Sequence, residues 1–207
     1  VTFIPLAEET GLIHEIGNWV LKNACLQLAI LNNQGTSIRI AVNVSTVQLA
    51  DPNFVSELQE ILAITNISPN DLELEITENL LMDDFEEQSK RIKQIKDLGV
   101  KIGIDDFGTG YSSLGYLSRL AVDKLKIDQS FITNILEREQ DQAITKAIIG
   151  LAHSLQLEIV AEGIETKEQL DYVKSLLNAE DNIQGTYYSM ALPMTELSTF
   201  IQLHDSK

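Results

Sequence analysis

Six short apolar runs in the 207-residue chain each end on, or lead into, a polar or charged residue: Asn43, Glu75, the pair Asp105 and Asp106, Lys126, Glu162 and Gln184. Four of these groups are carboxylates, and Asn43 adds an amide oxygen. Gathered in one place, the acids would repel one another and some would be forced to protonate. Hard divalent cations such as Mg²⁺, Mn²⁺ or Ca²⁺ relieve that repulsion, because oxygen is the ligand they prefer. Neighbouring acids at 105 and 106 can serve two ions about 3.5 to 4 Å apart, the arrangement that clamps the attacking and leaving oxygens in phosphodiester displacement. Lys126 offers a cation to hold a water or to neutralise charge developing on phosphorus. The segment GTGYSS, from Gly108, is a Gly- and Ser-rich loop able to move over a ligand. A single acidic strand end is more often a helix cap or a solvated turn, and a lone lysine more often a surface charge. Recurrence at successive strand ends turns the reading toward metal-assisted phosphoryl chemistry.

Those residues need elements to hold them. Apolar residues recur at helical spacing through Ile13, Ile16, Val20, Ala24 and Leu28, and through Phe54, Leu58, Ile61 and Leu62, with Asp51 and Pro52 as cap and first-turn proline. Further helices run through Phe85, Ile92, Ile95 and Leu98 up to Gly99, and through Ile144, Ala147, Ile148, Leu151 and Leu155. A fifth carries Leu170, Val173 and Leu177 and opens at Thr166, with Gln169 at the capping-box spacing. Between them lie β-rich runs: IRIAVNV, LELEIT, VKIGI, VDKLKI, LEIVA and NIQGTYY. Alternation of strand and helix predicts an α/β fold with parallel strands. The polar strand ends are separated by 32, 30, 21, 36 and 22 residues. A TIM-like (β/α)8 barrel of about 250 residues advances about 31 per unit and builds its active site at the strand carboxyl ends. An open doubly wound sheet uses only the ends near its switch point, so six contributing ends favour the barrel. Nothing marks an internal boundary, so residues 1–207 are expected to form one domain, with about six of the eight β/α units.

Lys plus Arg number 15 against 31 Asp plus Glu, a net charge of −16, with 44% hydrophobic residues. That apolar content excludes a disordered chain. The acidic sign argues against a surface that grips DNA, RNA or anionic lipid through phosphate contacts. The single cysteine, Cys25, excludes an internal disulfide and fits a reducing compartment; its helical position predicts inert packing. His14, His153 and His204 read as structural or solvated. Trp19 shares a helical face with Ile16 and is expected in the core, and Tyr111 and Tyr116 are expected to pack beside the loop. No apolar run is long enough for a membrane span. The chain starts at Val1 without Met, which fits a piece of a longer protein.

At this point the sequence resembles the EAL domain family, the bacterial cyclic di-GMP phosphodiesterases. The likeness runs in order through FIPLAEETGLI, VNVS, LELEITE, DDFGTGYSSL, LKID, VAEGIE and QG. It implies a hydrolase with two Mg²⁺ or Mn²⁺ ions that opens cyclic di-GMP to linear pGpG. Asn43, Glu75, Asp105 and Asp106 match the family's metal ligands. Lys126 matches the lysine that positions the catalytic water, and Glu162 the general base or a further metal-site group. Gln184 matches a glutamine near the substrate, and Glu78 the residue that anchors the DDFGTGYSS loop. Asp128, on the strand face of Lys126, is a further candidate for guanine or metal-shell contact. The resemblance also implies a cytoplasmic homodimer in a parent protein with sensor or cyclase domains, sometimes membrane-tethered. Two departures stand out. After Gln184 and Gly185 the family continues with an aromatic residue and later a basic residue and proline, where this chain has Thr186, Met190 and Ala191, with Pro193 still present. The Glu-Ala-Leu motif with its following arginine, expected a few tens of residues before FIPLAEETGLI, does not occur in these 207 residues. A cyclic di-GMP-binding regulatory module without catalysis is the rival reading.

Overall fold

The structure, a computed structural model, describes residues 3–78, 85–110 and 114–204. Tyr111, with the side chains of Tyr116 and His204, lies outside the described residues, so the expectations for them are not addressed. The chain divides into two compact units: residues up to Ile76, 84–102 and from Leu192 onward, and residues 77–83 with 103–191.

In the first unit α1 (Ile4–Thr10) and α2 (Leu12–Asn33) precede β1 (Ile40–Asn43), α3 (Thr46–Ala50) and α4 (Phe54–Thr65). Then come β2 (Leu72–Thr77) and α5 (Phe85–Asp97). β1 and β2 pair in parallel, with Asn43 beside Glu75. The helical period puts Ile13, Leu21, Cys25, Leu28 and Leu31 of α2 on one buried face, and α4 buries Leu58, Ile61 and Leu62. Cys25 is wholly buried as expected, and burial pushes its thiol up to about 11. Two expectations fail here. The turn at Pro52 precedes α4, which begins at Phe54, with Asn53 at the N-cap position and no cap bond from its side chain. Asp51 instead accepts a hydrogen bond from the Asn53 N–H at 2.8 Å, so the proline sits in a local Asx turn. Trp19 is 68% exposed, because it lies on the face of α2 opposite Leu21 and Leu28.

In the second unit β3 (Lys101–Phe107, from Gly103), β4 (Lys124–Ile127), β5 (Glu158–Ala161) and β6 (Asn182–Ile183) pair in that order, with each described pairing parallel. α6 (Leu114–Leu117), α7 (Gln129–Thr133), α8 (Glu139–Ser154) and α9 (Lys167–Lys174) connect them. The strand period of two decides where the chemistry lies. Ile104, Leu125, Ile127, Ile159 and Ala161 alternate onto a buried apolar face. Asp105, Lys124, Lys126, Glu158 and Glu162 alternate to the other side. Thr166 forms the expected capping box with Gln169 at the start of α9. NIQGTYY is a strand only at Asn182–Ile183. Beyond it the chain turns, since the Tyr187 N–H is bonded to the Ile164 carbonyl at 3.0 Å rather than along a ladder.

Candidate active site

β3 carries an irregularity at the point where the chemistry needs it. Between Ile104, opposite Leu125, and Phe107, opposite Ile127, two residues of β3 face one of β4, so Asp105 and Asp106 form a β-bulge against Lys126. In a regular strand, neighbours point to opposite faces. The bulge, with Asp106 at φ 54°, cancels that alternation and lets both carboxylates share a face. Asp is among the few residues besides Gly that tolerate this left-handed region. The Asp106 N–H donates to Asp105 Oδ1 at 3.0 Å, fixing the first carboxylate.

Carboxylate oxygens of Asp105, Asp106 and Glu162 lie within 4.8 Å of one another. Lys126, 4% exposed, reaches Asp105 Oδ1 at 3.0 Å and Glu162 Oε1 at 2.7 Å. An ammonium thus balances part of the acidic charge. Glu162 is placed by its own N–H, which donates to the Ile127 carbonyl at 3.2 Å, and the Gln184 N–H donates to Ala161 at 2.9 Å. Asp106 feels the remaining crowding. Burial, then the negative charges of Asp105 and Asp128 and a hydrogen bond with Asp128, raise its carboxyl above the ordinary aspartate range, against a smaller lowering by Lys126. A group with a raised folded pKa stabilises the fold below the ordinary value and loses that contribution as pH rises through the raised one. The Asp106 contribution to stability of the metal-free protein is therefore expected to be lost as pH rises above about 4, so Asp106→Asn, compared with wild type by melting, should gain stability relative to wild type as pH rises through that range.

Other sequence candidates find distinct places. Glu78, 6% exposed, accepts a hydrogen bond from the Gly108 N–H at 2.9 Å, a direct tie to the loop after β3. Gly108 has φ 98°, and a Cβ there would press on Phe131 and Ile148, so only glycine fits. Asp128 caps α7 through the Ser130 N–H at 2.9 Å while it bonds Asp106, so it braces an acid of the cluster from a helix terminus. The DQS sequence carries the signal for this cap. Asn43 and Glu75 lie side by side in the first unit, Asn43 exposed and Glu75 buried. His14 faces Asp51 at 3.4 Å and His153 faces Asp181 at 2.8 Å, both structural as expected.

A cavity of about 410 Å³ adjoins Glu162, lined also by Gln129, Gln184, Thr186, Ser189 and Met190. Its wall depends on Gly185, whose absent side chain would fall onto the backbone N and O of Ile164. Neither can yield without breaking the Ile164 N–H bond to Gln184 at 3.1 Å. Gly185→Ala is expected to cost about 1 to 3 kcal/mol, the scale of overpacking, read as a lowered melting temperature. Gln129 and Ser189 were missed by sequence reading, since neither closes an apolar run.

The family model described as "EAL domain" matches residues 1–191. The chain belongs to the EAL domain family. Cyclic di-GMP phosphodiesterase NbdA of Pseudomonas aeruginosa is 40% identical over 98% of the chain and 26% of its own length. Cyclic di-GMP phosphodiesterase PdeR of Escherichia coli is 36% identical over 92% of the chain and 29% of its own length. The chain thus spans about a quarter of these curated relatives. Among solved structures, that titled PaMucR phosphodiesterase, c-di-GMP complex, superposes with a TM-score of 0.90 at 41% identity, over 94% of this chain and 78% of that one. The α/β architecture of this EAL chain, with its parallel strands, is therefore that of the EAL barrels. Among the described residues no helix is long and apolar enough to cross a membrane.

Proposed function

We propose that the chain is the hydrolytic part of a cyclic di-GMP phosphodiesterase that yields linear pGpG, with residues 1–207 acting as one domain. The observation that carries this reading is the Asp105, Asp106, Glu162 cluster with Lys126 bonded into it. Three hard oxygen donors within 4.8 Å, one of them with its pKa raised by burial and then by neighbouring acids, suit divalent cations. Asp105 and Asp106 would hold Mg²⁺ or Mn²⁺ with Glu162 beside them as the base, and Asn43 and Glu75 are assigned as further ligands on the family motif alone. When bound, two such ions supply charge neutralisation for the phosphodiester and acidity for water.

The chain's own residues then divide the remaining work. Lys126 Nζ donates to the attacking water and to Glu162, fixing their approach. Glu162 takes the water's proton on a carboxylate oxygen as the oxygen bonds to phosphorus. The bond from phosphorus to the 3′ oxygen breaks, and that oxygen leaves with a solvent proton, which opens the ring with a 5′-phosphate. Gln184 and Asp128 are assigned to the substrate side, and Glu78 holds the loop through Gly108. Dimerisation, fusion to sensor or cyclase domains and a cytoplasmic setting belong to the same proposal, on family grounds.

Incubation of the full-length protein with cyclic di-GMP and Mn²⁺, followed by chromatography, tests it. Conversion to pGpG supports the reading. Tight binding without conversion gives the regulatory-module rival instead.

A further inference from the structure

The first unit presents a surface unrelated to the acidic cluster. A groove of about 370 Å³ runs between α2 and α4, lined by Asn18, Trp19, Lys22, Glu57, Glu60 and Ile64. Trp19 is 68% and Ile64 66% exposed, two large apolar side chains left in water on facing helices. Glu57 is held at the groove because Asn18 Nδ2 donates to its Oε2 at 2.6 Å. At the groove itself Glu57 and Glu60 stand against the single cation Lys22. Residues 1–76 hold nine Asp and Glu against Lys22 and Arg39 alone. Arg39 faces the buried Glu73 at 3.5 Å, which leaves Lys22 as the one Lys or Arg on α1, α2 and α4.

We propose that this groove docks a cationic amphipathic helix supplied by another domain or protein. Apolar residues of such a helix would seat between Trp19 and Ile64, as in other helix-in-groove contacts. Its Lys or Arg residues would meet Glu57 and Glu60, and a cation over the exposed indole face adds attraction. A phosphate-rich partner is disfavoured by the same charges. The inference does not depend on the proposed hydrolase reading.

Trp19 is the only tryptophan in the chain, so its emission reports directly on the groove. The 207-residue chain is titrated with a short synthetic helix carrying Leu on one face and Lys on the other. The expected result is a saturable blue shift, with Kd raised about tenfold by Glu57→Gln with Glu60→Gln, equivalent to about 1.4 kcal/mol for two partly exposed ion pairs. Ile64→Ser is expected to remove the shift. Glu60→Gln alone, at an exposed position, gives the same direction should the double variant fold poorly. No shift, or an equal shift from a scrambled Leu/Lys peptide without an amphipathic face, overturns the proposal. A shift that grows with protein concentration alone assigns the groove to a second copy and also overturns it.

Discussion

Asp105→Asn is expected to reduce cyclic di-GMP hydrolysis by about 10³-fold or more, the scale of losing a preorganised electrostatic group, while far-UV circular dichroism stays unchanged. The amide has the shape of the carboxylate and can still accept from the Asp106 N–H, which is 3.0 Å away. What disappears is the negative charge. Asp105 is only 9% exposed, sits in the oxygen cluster with Asp106 and Glu162, and faces Lys126 at 3.0 Å. An amide oxygen is a weak ligand for a divalent cation beside a carboxylate, so Mn²⁺ affinity measured by calorimetry should fall along with turnover. Wild-type turnover by this variant would remove Asp105 from the mechanism.

Lys126→Met is expected to show its largest effect in the absence of metal. The ammonium is 4% exposed and lies 2.7 Å from Glu162 and 3.0 Å from Asp105. Methionine keeps the volume but leaves two acids facing each other with no cation between them. Breaking a buried pair costs about 3 to 5 kcal/mol, and partial solvent access of both acids places this one toward the lower end. Melting in EDTA should therefore drop by several degrees. Added Mn²⁺ should recover much of the loss, because it restores positive charge at the same oxygens, yet turnover should stay low without a side chain to hold the water. Equal melting of variant and wild type in EDTA would show that Lys126 is not the counter-ion of the cluster.

The contrast between these residues and others shows what the sequence could reveal. Strand periodicity and family motifs were enough to name Asp105, Lys126 and Glu162, because each closes an apolar run and period two places it on a definite face. The bulge at Asp105 and Asp106 was not visible, since nothing local marks a register shift set by pairing with β4. It nonetheless explains how adjacent acids share one face. NIQGTYY was read as a full strand from its β-rich composition, but contacts of Gly185 and Tyr187 with Ile164, a residue distant in sequence, end the strand after Ile183. Trp19 failed for a related reason. Helical spacing placed it near Ile16, and only the packing of α2 shows that the buried stripe runs through Ile13, Gly17, Leu21 and Leu28 instead.

The most direct measurement is the product formed from cyclic di-GMP by the full-length protein, with Mn²⁺ and with EDTA, beside its Asp105→Asn variant. The account predicts linear pGpG from the wild type only when Mn²⁺ is present, and none above background from the variant. Hydrolysis that persists in EDTA, or that Asp105→Asn leaves intact, would contradict it.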